Sequence, residues 1–332
     1  MDKISLSVEN MYKKYPYPFP SSKIKNVNEL LNLFKLFSLE NNFDFNKKNI
    51  LDAGSGTGHR IINVAKHYNE SNFLGIDFSK NSIEFATQLV TKNKIQNIKF
   101  KKANLLKKIK SKNKFDVISS MGVLHHLSKP EIGLKNILSV LEKKGVLFLY
   151  LYGKLGGHDR MIKKQIVKTL LKNKNNYEDG IKLIKKLEFA DLEYGWKIDS
   201  ENKREIDSVI VDAYLHANEK LYDFEDIDSL LCNSGIFGYS IFGITTKNQG
   251  LLFSTELHSE EKLKTPYSDI TKFLSSKFTQ KFYNSLNVRE KCKIIELFFE
   301  PNGYTVVGLT KQMYDSLEPK SRIRKNFIRC KS

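Results

Sequence analysis

Cysteine, proline and tryptophan are scarce in this chain of 332 residues, which has three Cys, seven Pro and one Trp. Cys232, Cys292 and Cys330 stand far apart and lack the paired spacing of a zinc or haem site, so no metal is expected. So few cysteines suit a reducing cytoplasm. Long apolar runs are missing as well: "GVLFLYLYG" (145–153) is far short of the roughly 20 residues a membrane-spanning helix needs. The opening "MDKISLSVEN" has no apolar signal core, so neither membrane insertion nor export is expected. Acidic residues are few beside basic ones, 37 against 55, giving a formal charge of +18. Lys, Asn and Ile are over-used along the whole chain, which accounts for most of that excess. Its two concentrations, 99–114 and 320–332, are expected to be solvated surface, and nucleic acid is not the favoured partner.

What is present is an alternation of strand and helix patterns from about residue 48. "KNILDAG", "SNFLGID", "NIKFKKA", "FDVISSM" and "VLFLYLY" read as buried strands. Between them lie helical patterns, one opened by Ser79 as a cap and one over "KPEIGLKNILSVLEKKG", with Pro130 at its start and Gly145 past its end. Such alternation predicts a doubly wound parallel α/β sheet covered on both faces. The expected divisions are a leader and helix (1–47), an α/β core (48–153), a helical insertion (154–235), late strands around a helical stretch at 259–299 (236–318), and a basic tail (319–332).

The first strand runs into "LDAGSGTG", with glycines at 54, 56 and 58 and Asp52 just ahead. A strand ending in a glycine turn that opens a helix brings bare backbone close to a ligand. The second strand ends in "GIDFS", which puts Asp77 at its carboxyl end. A carboxylate there suits a pair of vicinal hydroxyls, since it accepts two hydrogen bonds at once. With "KKANLL" and "FDVISSMGVLHHL" following in order, residues 48–152 resemble the class I S-adenosylmethionine-dependent methyltransferases. The resemblance implies a Rossmann-like sheet and S-adenosylmethionine as cofactor. It assigns Gly54, Ser55 and Gly56 to the methionine part, with Gly58 completing the loop and Asp52 supporting the loop or the cofactor's ammonium. Asp77 takes the ribose hydroxyls and Phe78 the adenine face. Asn104, where the family usually has Asp, and the Leu105 amide take the adenine edge. Met121 and Gly122 line the cofactor.

The acceptor is less defined. An Asn/Asp-Pro-Pro-aromatic motif is missing after the fourth strand, which argues against exocyclic nucleobase amines. Methylation of O, N or C of a small molecule is the expected activity. An RNA methyltransferase using the basic clusters and a non-catalytic cofactor-binding scaffold are the alternatives. "YKKYPYPFP", "GVLHHL" and "DAYLHANEKLYDFEDIDSLL" also resemble a bacterial methyltransferase group with mostly undefined acceptors. In the last segment Asp212 and His216 are four apart, which on a helix puts them on one face, so His216 is a candidate base oriented by Asp212. Tyr222 and His125 are further catalytic candidates, and His126 is expected to be structural. The leader, stiffened by Pro16, Pro18 and Pro20, is expected to fold over the cofactor, with Tyr15 or Arg60 reaching its carboxylate.

Overall fold

The computed structural model describes residues 2–21, 23–172, 174, 176–190, 202–257 and 266–330. Its centre is one sheet of β1 (Asn49–Ala53), β2 (Asn72–Asp77), β3 (Ile98–Lys102), β4 (Phe115–Met121), β5 (Leu141–Tyr152), β6 (Gly238–Thr245), β7 (Gly250–Leu252), β8 (Gly303–Leu309) and β9 (Ile328–Arg329). The order is β3-β2-β1-β4-β5-β8-β6-β7, with β9 beside β6. The first five strands are parallel, and β8 enters antiparallel between β5 and β6. The order reverses between β1 and β4, so a crevice opens at their carboxyl ends, where such sheets place ligands.

The leader forms α1 (Lys3–Lys14) and is followed by α2 (Glu29–Asn41). Within the core come α3 (His59–His67), α4 (Lys80–Lys92) and α5 (Pro130–Leu138). Ser79 caps α4 by accepting from the Ser82 amide. α5 stops well short of Gly145, because Leu141 pairs with Phe115 and sheet pairing overrides the helix-forming "LEKK". Then come α6 (His158–Leu170), α7 (Tyr177–Lys186), α8 (Lys203–Tyr214) and α9 (Phe224–Cys232). Of the helical stretch expected at 259–299, residues through 265 lie outside the described ones. The remainder is helical over α10 (Lys277–Ser285) and α11 (Val288–Phe299), divided where Asn287 caps the second helix. The chain closes with α12 (Lys311–Asp315) and α13 (Arg322–Lys325).

Among the described residues, three apolar clusters hold this together. One sheet face packs against α5, α9 and α11 through residues such as Leu134, Ile227 and Ile295. The other packs against α2, α3 and α4 through Phe34, Ile61 and Leu89. The third joins α1 to α6, α7 and α8 through Met11, Tyr15, Val167, Ile184 and Val211. The leader thus belongs to the helical lobe, whereas α9, expected within the insertion, belongs to the main core.

The tail is not the solvated segment that its charge suggested. Arg322 is buried, donating to Glu40 at 2.9 and 3.0 Å and to the carbonyls of Phe242 and Phe253 at 2.6 and 2.7 Å. β9 extends the sheet, and Cys330 is joined to Cys232 by a disulfide, 98 residues apart in sequence and 4.8 Å between Cα atoms. No helix among the described residues is long and apolar enough to cross a membrane.

Candidate functional site

A cleft of about 860 Å³ opens over the carboxyl ends of β1, β2, β4 and β5. Its floor at one end is the glycine turn. Gly54, Gly56 and Gly58 all have positive φ (92°, 52° and 81°), a region that penalises side chains. A Cβ on Gly54 would lie 2.3 Å from a Val123 methyl, and one on Gly58 would lie 2.8 Å from the Phe100 ring. The turn's amides are occupied: Gly54 and Ser55 donate to the Ile76 carbonyl, and Gly56 to Asp77 Oδ2 at 2.9 Å. The turn therefore offers bare Cα edges rather than a nest of free N–H groups, so it is unlike a phosphate cradle.

Asp77 ends β2 beside this turn. It accepts from Gly56 and from the Ser79 amide at 2.8 Å. Burial raises its pKa, and those backbone N–H groups pull it down. Gly54, Ser55, Gly56, Asp77, Phe78, Asn104, Leu105, Met121 and Arg60 all line the cleft. Asn104 Oδ1 accepts from the Leu106 amide at 2.8 Å, and Arg60 donates to the Met121 carbonyl at 3.2 Å. Asp52 and Gly58 are set behind the wall. Asp52 accepts from Ser119 Oγ at 2.8 Å, tying β1 to β4, and burial lifts its pKa to about 6 against the pull of Arg60.

α1 covers the cleft with Ser5, Val8, Glu9 and Tyr12, and the leader beyond it adds Tyr17 and Pro18. Tyr15, the leader residue expected at the cofactor, points elsewhere: its ring packs on Tyr177 and within the helical lobe. The reason is helical phase, since Met11 and Tyr15 are four apart and share the lobe-facing side.

The far end of the cleft is built by Tyr150 and Tyr152, Arg160, Asp212 and His126. Tyr150 and Tyr152 sit two apart on β5, a same-face spacing that strand alternation makes readable but that no catalytic motif marks. Tyr12 Oη donates to Asp212 Oδ1 at 2.8 Å and lies 3.0 Å from His216 Nε2. The Asn218 amide donates to His216 Nδ1 at 3.1 Å, so the His216 proton is on Nε2 and is given to Tyr12. The Asn218 carbonyl faces His126 Nδ1 at 3.0 Å, which fixes the opposite tautomer there and leaves Nε2 as a lone pair. Burial is the largest cause of the low pKa of both rings, and His126 falls to about 4. Burial also lifts Asp212 to about 7, opposed by the Tyr12 hydrogen bond and by Arg160 and Lys164, and reinforced by Glu219. Glu219 in turn pairs with Arg160 at 2.7 Å and Lys164 at 3.0 Å.

The ligand atoms of His126, Asp212 and His216 lie within 4.8 Å of one another. The set does not fit a metal, because His216 carries its proton on the nitrogen that faces the group.

His216 is thus buried behind Tyr12 and is not on the cleft wall; it follows α8 rather than continuing it, so the i,i+4 face argument did not apply. His125 is fully buried, stacked 3.9 Å from the Tyr152 ring centre. Tyr222 is fully buried in the main core, its backbone paired beside Gly153. Neither lines the cleft. Beside Tyr150, Tyr152 and Arg160, the side chains that do so at this end are Asp212, expected only to orient His216, and His126, expected to be structural.

Residues 44–206 match a family model described as a methyltransferase domain. An uncharacterized protein of Synechococcus sp. is 28% identical over 199 residues, covering 56% of this chain and 46% of that protein. One of Rickettsia prowazekii is 35% identical over 142 residues, covering 42% of this chain and 56% of that one. The structure of PKMT2 from Rickettsia typhi has a TM-score of 0.60 at 16% identity, covering 90% of this chain and 55% of that one. In its complex with AdoHcy the TM-score is 0.54 at 18% identity, covering 80% of this chain and 49% of that one. The chain spans about half the length of the curated relatives it matches.

Proposed function

We propose that this chain, whose residues 44–206 match a methyltransferase domain, is a class I S-adenosylmethionine-dependent methyltransferase that methylates O, N or C of a small molecule held between the glycine turn and the Tyr150–Tyr152 wall. When bound, the cofactor supplies a methyl group already activated on a sulfonium. The protein's task is then alignment and proton removal. The donor set fits the cofactor: bare Cα edges where the bulky sulfonium-bearing chain must pass close, a carboxylate at the end of β2, and Phe78 beside it. In this reading Asp77 takes the ribose hydroxyls, Phe78 the adenine face, and Asn104 and Leu105 the adenine edge. Gly54, Ser55, Gly56 and Met121 hold the methionine part, with Arg60 toward its carboxylate.

One observation carries the choice of a small acceptor. The cleft volume of about 860 Å³ is within the usual range for small-molecule sites, and α1 roofs it with Ser5, Val8, Glu9 and Tyr12. A folded nucleic acid would have to displace that roof. The lysines of 99–114 do not line the cleft. Incubation with methyl-tritiated S-adenosylmethionine and separated small-molecule, RNA and protein fractions of a cell extract tests the reading. Label in the small-molecule fraction supports it; label confined to RNA or protein overturns it.

A further inference from the structure

Two acceptor atoms in the far wall of the cleft have no partner among the described residues. Asp212 spends Oδ1 on Tyr12, and Oδ2 has no hydrogen bond. His126 spends Nδ1–H on the Asn218 carbonyl, which leaves Nε2 a bare lone pair. Both side chains are more than nine-tenths buried, at 6% and 7% exposure, and both line the cleft. One ligand atom of Asp212 and one of His126 lie within 4.8 Å of each other. A single tetrahedral nitrogen that donates two hydrogens at ~2.9 Å each spans acceptors about 4.7 Å apart.

Resting on the reading above, we propose that Asp212 and His126 form a subsite for a neutral amine nitrogen, so that the methyl acceptor of this cleft is a primary amine. A hydroxyl brings one hydrogen and can pair with one of the two acceptors, so it forgoes the second hydrogen bond. An amine satisfies both and turns its own lone pair away from them, back into the cleft. The buried charges agree with the uncharged form. Arg160 and Lys164 are both paired with Glu219, and with Asp212 ionised the four groups cancel. A second cation would upset that balance. The tautomers set by Asn218 are what make the pair selective, since a proton on His126 Nε2 would turn an acceptor into a donor.

The test uses 2,2,2-trifluoroethylamine, an amine uncharged at neutral to mildly alkaline pH, against its isostere 2,2,2-trifluoroethanol. Each is titrated by ¹⁹F NMR into the full chain loaded with S-adenosylhomocysteine. The expected result is amine binding at least about tenfold tighter than alcohol binding, the preference falling by a similar factor in Asp212→Asn. Asn keeps an oxygen for Tyr12 and places an N–H donor where Oδ2 was. His126→Phe, which keeps a ring against its neighbours and removes the lone pair, should also lose the preference, and it serves if Asp212→Asn does not fold. Equal binding of the two probes, no amine binding, or a preference that survives in a folded variant overturns the proposal. Failure of S-adenosylhomocysteine to bind at all would instead overturn the cofactor reading beneath it.

Discussion

Tyr12 and Asp212, 200 residues apart in sequence, share a hydrogen bond of 2.8 Å in which the phenol donates to a buried carboxylate. This bond fastens α1 to the segment that carries the acceptor end of the cleft. His216 Nε2–H points into the same phenol oxygen, so the donors are all aligned toward Asp212. Removing the hydroxyl strands two buried partners at once. Tyr12→Phe is expected to lose about 1–3 kcal/mol of stability, the cost of unsatisfied buried polar groups. Thermal or denaturant unfolding measures it, and an unchanged midpoint would mean that the bond does not hold the roof.

Asp212 gives a pH signature of known sign. Burial is the largest cause of its raised pKa, and Tyr12, Arg160 and Lys164 pull against it while Glu219 adds to it. Unfolded, it ionises at the ordinary aspartate value of 3.8; folded, at about 7. Below both values there is no penalty. As pH rises between them the unfolded chain releases its proton first, so this group's cost to folding grows and levels off above about pH 7. Asp212→Asn cannot ionise and escapes that cost. Its stability should rise relative to wild type as pH is raised from 5 to 8, by about 2–3 kcal/mol, a shift of a few degrees in the unfolding midpoint. A difference that does not vary with pH would contradict the assignment.

The glycine turn tolerates no side chain at Gly54, where φ is 92° and a Cβ would lie 2.3 Å from Val123. Gly54→Ala should cost about 1–3 kcal/mol from backbone strain alone and displace the Val123 segment. Circular dichroism melts and cofactor titration would register both effects. An alanine variant with wild-type midpoint and affinity would mean that the turn is not held as described.

Asp77 has two duties that separate by substitution. It holds the turn through the Gly56 amide, and in the proposed reading it also takes the ribose hydroxyls. Asp77→Ala removes both and should weaken S-adenosylmethionine binding by about 1.5–3 kcal/mol. Asp77→Asn retains an acceptor for one N–H but not two charge-assisted bonds, so calorimetry should place its affinity between the two.

The strands were legible because buried parallel strands read as short apolar runs bounded by turns, and the core motifs sit at their ends. Ser79 as a cap was legible for a similarly local reason. Less legible was whatever depends on packing between distant segments. Tyr15 and Tyr222 stand beside functional motifs yet fill cores, since an aromatic ring reads alike whether it lines a cleft or packs. His216 and Asp212 were read as one helical face, but α8 ends at Tyr214, and the carboxylate rather than the imidazole faces the cleft. The buried Arg322 looked like tail charge because its partners, Glu40 and two carbonyls, come from remote elements.

Calorimetric titration of the full chain with S-adenosylhomocysteine, alongside NAD and repeated on Asp77→Ala, measures cofactor binding and the part the Asp77 carboxylate plays in it. The adenosyl ligand should bind with about micromolar strength and NAD not at all, and the variant should lose at least tenfold in affinity. A folded protein that binds neither, or whose affinity is the same without the Asp77 carboxylate, would contradict the cofactor assignment.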